Sequence, residues 1–232
     1  MSVAEQLVIR SASCNSSERV ESLVGFLRVR CGSLTGIPPA IAVPPELQQL
    51  YSSAGETLTE TVCVQNYLTP PEALRISDGM IPIADENQGV YRWAIEATTD
   101  SDPIVFGRFE ETDPWVDLDQ PLSSFLTQFV LLETLFSSPW GASASHLDPQ
   151  RMESLAGELR PYPSPVWRWP SLGARLFVRG DAIAFSCPNG RSPNAPDPSD
   201  PHSFWIGARS PAALEFLRPF VSVDWDHVQI DA

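Results

Sequence analysis

Three carboxyl and amide side chains, Asp85, Glu86 and Gln88, sit within four consecutive positions of one polar run that closes on Gly89. Paired carboxylates this near each other can share acid–base work, one protonated and one ionised. They can equally form an acidic recognition edge, or accept backbone N–H groups and hold a turn. The turn reading outweighs the others, because Asp, Asn and Gly are the residues a hairpin loop needs. A second acidic group, Glu110, Glu111, Asp113, Asp117 and Asp119, surrounds Trp115. It lacks the glycine and terminal glutamate of a calcium loop. A solvated acidic face fits it better, gripping arginine or lysine of a partner protein with Trp115 as an anchor.

Other chemistry finds little material. Cys14, Cys31, Cys63 and Cys187 are scattered, with no Cys-x-x-Cys or Cys/His set, so zinc is not expected. His146, His202 and His227 are isolated, and Asp226-His227 is only a dipeptide. No nucleophile elbow, zinc-protease motif or phosphate loop occurs. All 15 basic residues are arginine, which removes any lysine nucleophile or Schiff base. No catalytic residue, metal or cofactor is therefore expected.

The net charge of −14 over 232 residues repels a phosphate backbone, so nucleic acid is not an expected partner. The same charge steers a basic protein toward the chain. No secretion signal or membrane-length apolar run is read, which leaves a cytoplasmic protein with thiols as the expectation. The sequence sets no oligomeric state.

The elements that must position these residues follow from periodicity. Asp78 to Ile95 reads as strand, tight acidic loop and strand, with Tyr91, Trp93 and Ile95 on one face. Trp93 is expected in the core, its ring buried among neighbours. Val20, Leu23, Val24 and Leu27 mark a helix from Ser17 to Gly32. Pro44-Pro45 opens a second, with Leu47, Leu50, Tyr51 and Ala54 inward and Gly55 as its stop. Val62 and Val64 suggest a strand, and Ile104 to Phe106 another. The strongest helix starts at Pro121 and carries Leu122, Phe125, Leu126, Phe129, Val130 and Phe136, apolar enough to be covered on more than one side.

Beyond it, residues 137–145 read as a linker rich in serine, glycine and proline. A short helix spans Arg151 to Leu159. Leu176–Val178 and Ala182–Phe185 form a hairpin around Gly180-Asp181. Residues 188–203 read as a mobile loop. Ser203–Ala208 is a strand, Ser210 caps a helix halted by Pro219, and Val221, Val223 and Trp225 alternate as a last strand. Trp167, Arg168 and Trp169 would clamp the appended hairpin.

The order of motifs resembles a known family. Pro45-Glu46-Leu47 with Leu50-Tyr51 leads to Pro70-Pro71, Asp78-Gly79, Asn87-Gln88-Gly89-Val90, Trp93, Asp102-Pro103 and Trp115, and the Leu122–Phe136 helix closes the series. This is similar to the SUKH superfamily, the Smi/Knr-like proteins, over residues 34–136. The resemblance implies an α+β fold with one mixed or antiparallel sheet flanked by helices. Gly89 and Trp93 are the motif's structural positions. Bacterial members resemble immunity proteins that neutralise toxins, and fungal relatives act as regulatory modules. The expectation is thus residues 1–136 as an α+β core and 137–232 as a hairpin, strand and helix extension on the same unit. Its function would be non-catalytic binding of a basic toxin domain through Asp85, Glu86, Gln88, Glu110, Glu111, Asp113 and Trp115. The alternatives are a scaffold with no toxin and a hydrolase centred on Glu86.

Overall fold

The computed structural model describes residues 2, 4–7, 14–163, 172–189, 197, 199–220 and 223–229. It is an α+β fold with two antiparallel sheets, where the sequence pointed to one. The chain divides into two compact units, residues 13–133 and residues 134–232 with 1–12.

In the first unit, helix α1 (Ser16–Cys31) opens on a capping box: Asn15 accepts the Glu18 N–H and the Glu18 carboxylate accepts the Asn15 N–H. Its apolar stripe, Val20, Leu23, Val24, Phe26 and Leu27, is buried. Helix α2 (Pro45–Thr57) starts at a proline, where no intrahelical donor is lost. It passes Gly55 and runs into one π-helical turn, Leu58–Val62. The strand suggested at Val62–Val64 lies later, as β1 (Asn66–Leu68).

Strands β2 (Met80–Glu86), β3 (Arg92–Glu96), β4 (Ile104–Arg108) and β5 (Val116–Pro121) complete a five-stranded meander in chain order. The β2–β3 register pairs Met80 with Glu96 and Asp85 with Arg92, with a bulge between Pro82 and Ala84. Helix α3 (Leu122–Phe136) is capped by Asp102, whose carboxylate accepts the Ser123 N–H at 2.7 Å. Residues 122–135 are all buried, the polar Ser123, Thr127, Gln128 and Glu133 included. Trp93, fully buried, lies 5.8 Å from the Phe125 ring and 5.9 Å from that of Phe129, so α3 covers the Trp93 face of the sheet.

Two buried carboxylates tie this unit together. Glu46 on α2 accepts from the Ser16 and Ser101 hydroxyls, both at 2.6 Å, and from the Asp102 N–H at 3.0 Å. Glu133 on α3 accepts from the N–H groups of Val64, Gln65 and Asn66 and from the Asn66 amide, all between 2.7 and 3.0 Å.

The second unit is a sheet in its own right rather than an appended hairpin. Strands β6 (Trp140–Leu147), β7 (Arg160–Pro161), β8 (Arg175–Arg179), β9 (Ala182–Pro188), β10 (His202–Ala208) and β11 (His227–Gln229) order as β11-β6-β10-β9-β8-β7. The presumed linker 137–145 thus supplies most of β6. Helix α4 (Pro149–Ala156) and a 3-10 segment, Pro211–Phe220, bury Met152, Leu155, Leu214 and Leu217 against Ala142, Ala144, Phe177, Phe204 and Ile206. Pro219 lies inside that segment and does not halt it. The last strand falls at 227–229, after Val223 and Trp225. Trp167, Arg168, Trp169, Val221 and half of the 188–203 loop lie outside the described residues.

Candidate binding surface

The β2–β3 turn is closed by a backbone N–H from Glu86 to the Tyr91 carbonyl at 2.8 Å and one from Gly89 to the Glu86 carbonyl at 2.9 Å. Gly89 takes φ 72°, which a side chain would resist. The Glu86 carboxylate folds back under the turn and accepts the Gln88 N–H at 2.8 Å and the Val90 N–H at 3.4 Å. Glu86 is accordingly buried, and its charge is spent on the loop. Gln88 and Gly89 are exposed at the tip.

Antiparallel pairing brings the β4–β5 turn to the same end of the sheet. There Glu110 donates its N–H to the Asp113 carboxylate and Asp113 returns its N–H to the Glu110 carbonyl, both at 3.1 Å. Glu110 and Glu111 are exposed, and Asp113 is half-buried. The two turns meet through Tyr91, whose ring stands edge-on to Phe109 at 4.8 Å and to Trp93 at 5.0 Å.

Three apolar side chains stay in solvent at this end: Val90 at 52%, Phe109 at 59% and Val116 at 53% exposure. Such exposure of large apolar groups beside carboxylates is the pattern of an interface centre with a polar rim. Sequence reading missed all three. The signal was Phe109, an aromatic between Arg108 and Glu110 in a loop.

The other predicted residues point elsewhere. Alternation along β2 and β3 puts Asp85 and Arg92 on the sheet face opposite Trp93, where they form an ion pair at 2.5 Å. Arg108 lies on that face too, its guanidinium 4.2 Å from the Trp115 ring centre. The structure therefore gathers Gln88, Glu110, Glu111 and Asp113 at one tip. It separates them from Asp85 and Trp115 and buries Glu86 and Trp93.

The charge follows the same division. Residues 13–133 hold 18 acidic residues against six arginines, so −12 of the chain's −14 falls in the first unit. Burial pushes the Cys63 thiol up to about 12, far from a thiolate nucleophile at neutral pH. Burial, and then Arg175, hold His202 below the usual histidine range. Among the described residues no group of three or more His, Cys, Asp or Glu side chains is arranged to hold a metal ion. No helix among them is long and apolar enough to cross a membrane.

The chain matches no family model, no curated protein and no solved structure with which it was compared.

Proposed function

We propose that this chain is a non-catalytic binding module that receives a basic protein on its acidic first unit, with immunity-like neutralisation of a toxin in the cytoplasm as its biological form. The observation that carries the reading is the apolar tip of Val90, Phe109 and Val116 beside Glu110, Glu111 and Asp113. Apolar contact supplies affinity there, while the surrounding charge selects a cationic partner and speeds its approach. The motif order that resembles SUKH proteins supports the toxin-directed form. The engagement of the Glu86 carboxylate by its own turn argues against a hydrolase centred on that residue.

The test is affinity capture from the native host with the purified chain. The reading expects a basic protein, released as salt rises. Recovery of no protein, or of an acidic one indifferent to salt, contradicts it. Recovery of a basic protein with no toxic activity would favour the scaffold form.

A further inference from the structure

The face of the first sheet opposite Trp93 carries a surface distinct from the tip. Its side chains, set by the strand registers, include Pro82 on β2, Ala94 and Glu96 on β3, Ile104 and Phe106 on β4, and Asp117 on β5. Ala94 at the middle of this face is fully buried, Pro82, Ile104 and Phe106 are partly buried, and Glu96 and Asp117 are exposed, so the face is open toward Glu96 and Asp117. Toward the β3–β4 turn it deepens into a pocket of about 290 Å³ lined by Glu96, Thr98, Asp100, Ile104, Phe106 and Asp117, with Pro103 at its edge.

The floor of this pocket is an aromatic ring and an aliphatic side chain, and its walls are carboxylates. Among the described residues, none of Glu96, Asp100 and Asp117 has an ion-pair partner, whereas Asp85 on the same face is matched by Arg92. One Asp117 oxygen accepts the Asp119 N–H at 2.6 Å, so Glu96 and Asp100 carry the less committed charge. The three acids do not form a metal set. A cation with a flat apolar surface fits both features at once. Guanidinium is planar and weakly hydrated, stacks on aromatic faces and binds carboxylates through two parallel N–H bonds. Ammonium, a compact and strongly hydrated charge, uses the walls but not the floor.

The geometry points to an arginine side chain of the partner protein as the occupant of this pocket. The assignment rests on the protein-binding reading above and names a second contact on the same unit. An arginine here lies on the face opposite α3 and at the end of the sheet away from the tip, so a partner that fills both spans the length of the strands.

The full chain, labelled with ¹⁵N, is titrated with N-acetyl-arginine methylamide, with the lysine and norleucine analogues as controls. Saturable amide shifts at Glu96, Phe106 and Asp117 are expected in the millimolar range, at least about threefold tighter for arginine than for lysine and absent for norleucine. High salt should suppress them. The Glu96→Gln/Asp100→Asn double variant, altered at exposed positions whose carboxylates hold no backbone N–H among the described residues, should lose at least about tenfold in affinity with an unchanged melting temperature. Phe106→Ser should erase the preference for arginine over lysine. Shifts centred on residues 110–113, equal affinity for the two cations, or full binding by the double variant would overturn the assignment. The parent reading fails separately: a captured basic protein held equally by wild type and double variant removes the pocket and leaves the binding module standing.

Discussion

The Tyr91 ring lies over Gly107 so closely that a Cβ at position 107 would strike the Tyr91 hydroxyl oxygen and come within 2.6 Å of the ring itself. Gly107 pairs with Trp93 on one side and Val116 on the other, so the missing side chain makes the slot in which Tyr91 sits and carries Phe109 at the tip.

Gly107→Ala should therefore destabilise the first unit by about 1–3 kcal/mol, the usual cost of forcing an extra carbon into a packed site. Tyr91→Ala in the same chain should relieve most of that penalty. Urea unfolding of the two single variants and the double measures the coupling. Simple addition of the two effects would show that the ring is free to move aside.

Glu46 and Glu133 are both buried carboxylates, but their amide replacements should behave differently. A glutamine at 46 can accept the Asp102 N–H and donate to the Ser16 and Ser101 hydroxyl oxygens, so Glu46→Gln should cost under about 1 kcal/mol. At 133 the donors are all N–H groups, three of them backbone. Rotation of the Asn66 amide can satisfy one conflict but leaves the Asn66 backbone N–H facing another donor. Glu133→Gln should cost about 1–3 kcal/mol relative to the ionised carboxylate, measured by chemical unfolding.

The same two residues should shape opposite limbs of the stability–pH curve. Burial raises the Glu46 carboxyl, but donors from Ser101, Ser16 and Asp102 outweigh it and hold the group below its ordinary value of 4.5. Its contribution is present above that value and lost as pH falls through the lowered one. Burial pushes Glu133 above 4.5 despite its donors, so stability declines as pH rises from there and the buried group ionises. Glu46→Gln should flatten the acid limb and Glu133→Gln the limb above it. Unfolding free energies from pH 3 to pH 8 give the comparison, and parallel curves for the three proteins would contradict it.

The Asp85–Arg92 ion pair has both side chains about two-fifths exposed, 40% and 38%. Water screens such a pair, and Asp85→Asn should change stability by no more than about 1 kcal/mol. A larger loss in thermal unfolding would mean that Asp85 has a structural role beyond its pairing with Arg92.

Much of the first unit was readable from periodicity. Tyr91, Trp93 and Ile95 alternate because one sheet face is buried, and the closely recurring large apolar side chains of Leu122–Phe136 mark a helix whose residues 122–135 are all buried, its polar Ser123, Thr127, Gln128 and Glu133 among them. The second sheet was not readable, for a reason visible in β6. Gly141 and Gly207 pair across β6 and β10, and a Cβ at either would strike backbone oxygen at 2.6 or 2.5 Å. Ala142 and Ala144 alone carry the strand's central buried face. Small residues permit that close packing, yet in sequence they look like a linker. Strand β5 hid for another reason: an edge strand bearing Asp117 and Asp119 reads as an acidic loop. The tip was legible only in its charges, since Val90, Phe109 and Val116 carry no periodic signal and become a surface only when two turns are brought to one end.

Calorimetry of the captured basic partner with wild type and with Phe109→Ser decides whether the tip is the contact. Phe109 is largely exposed, so its melting temperature should shift little, while the dissociation constant should rise at least about tenfold, or roughly 1.4 kcal/mol. An unchanged dissociation constant would place the contact elsewhere and contradict the proposal that the acidic sheet tip is where this protein binds.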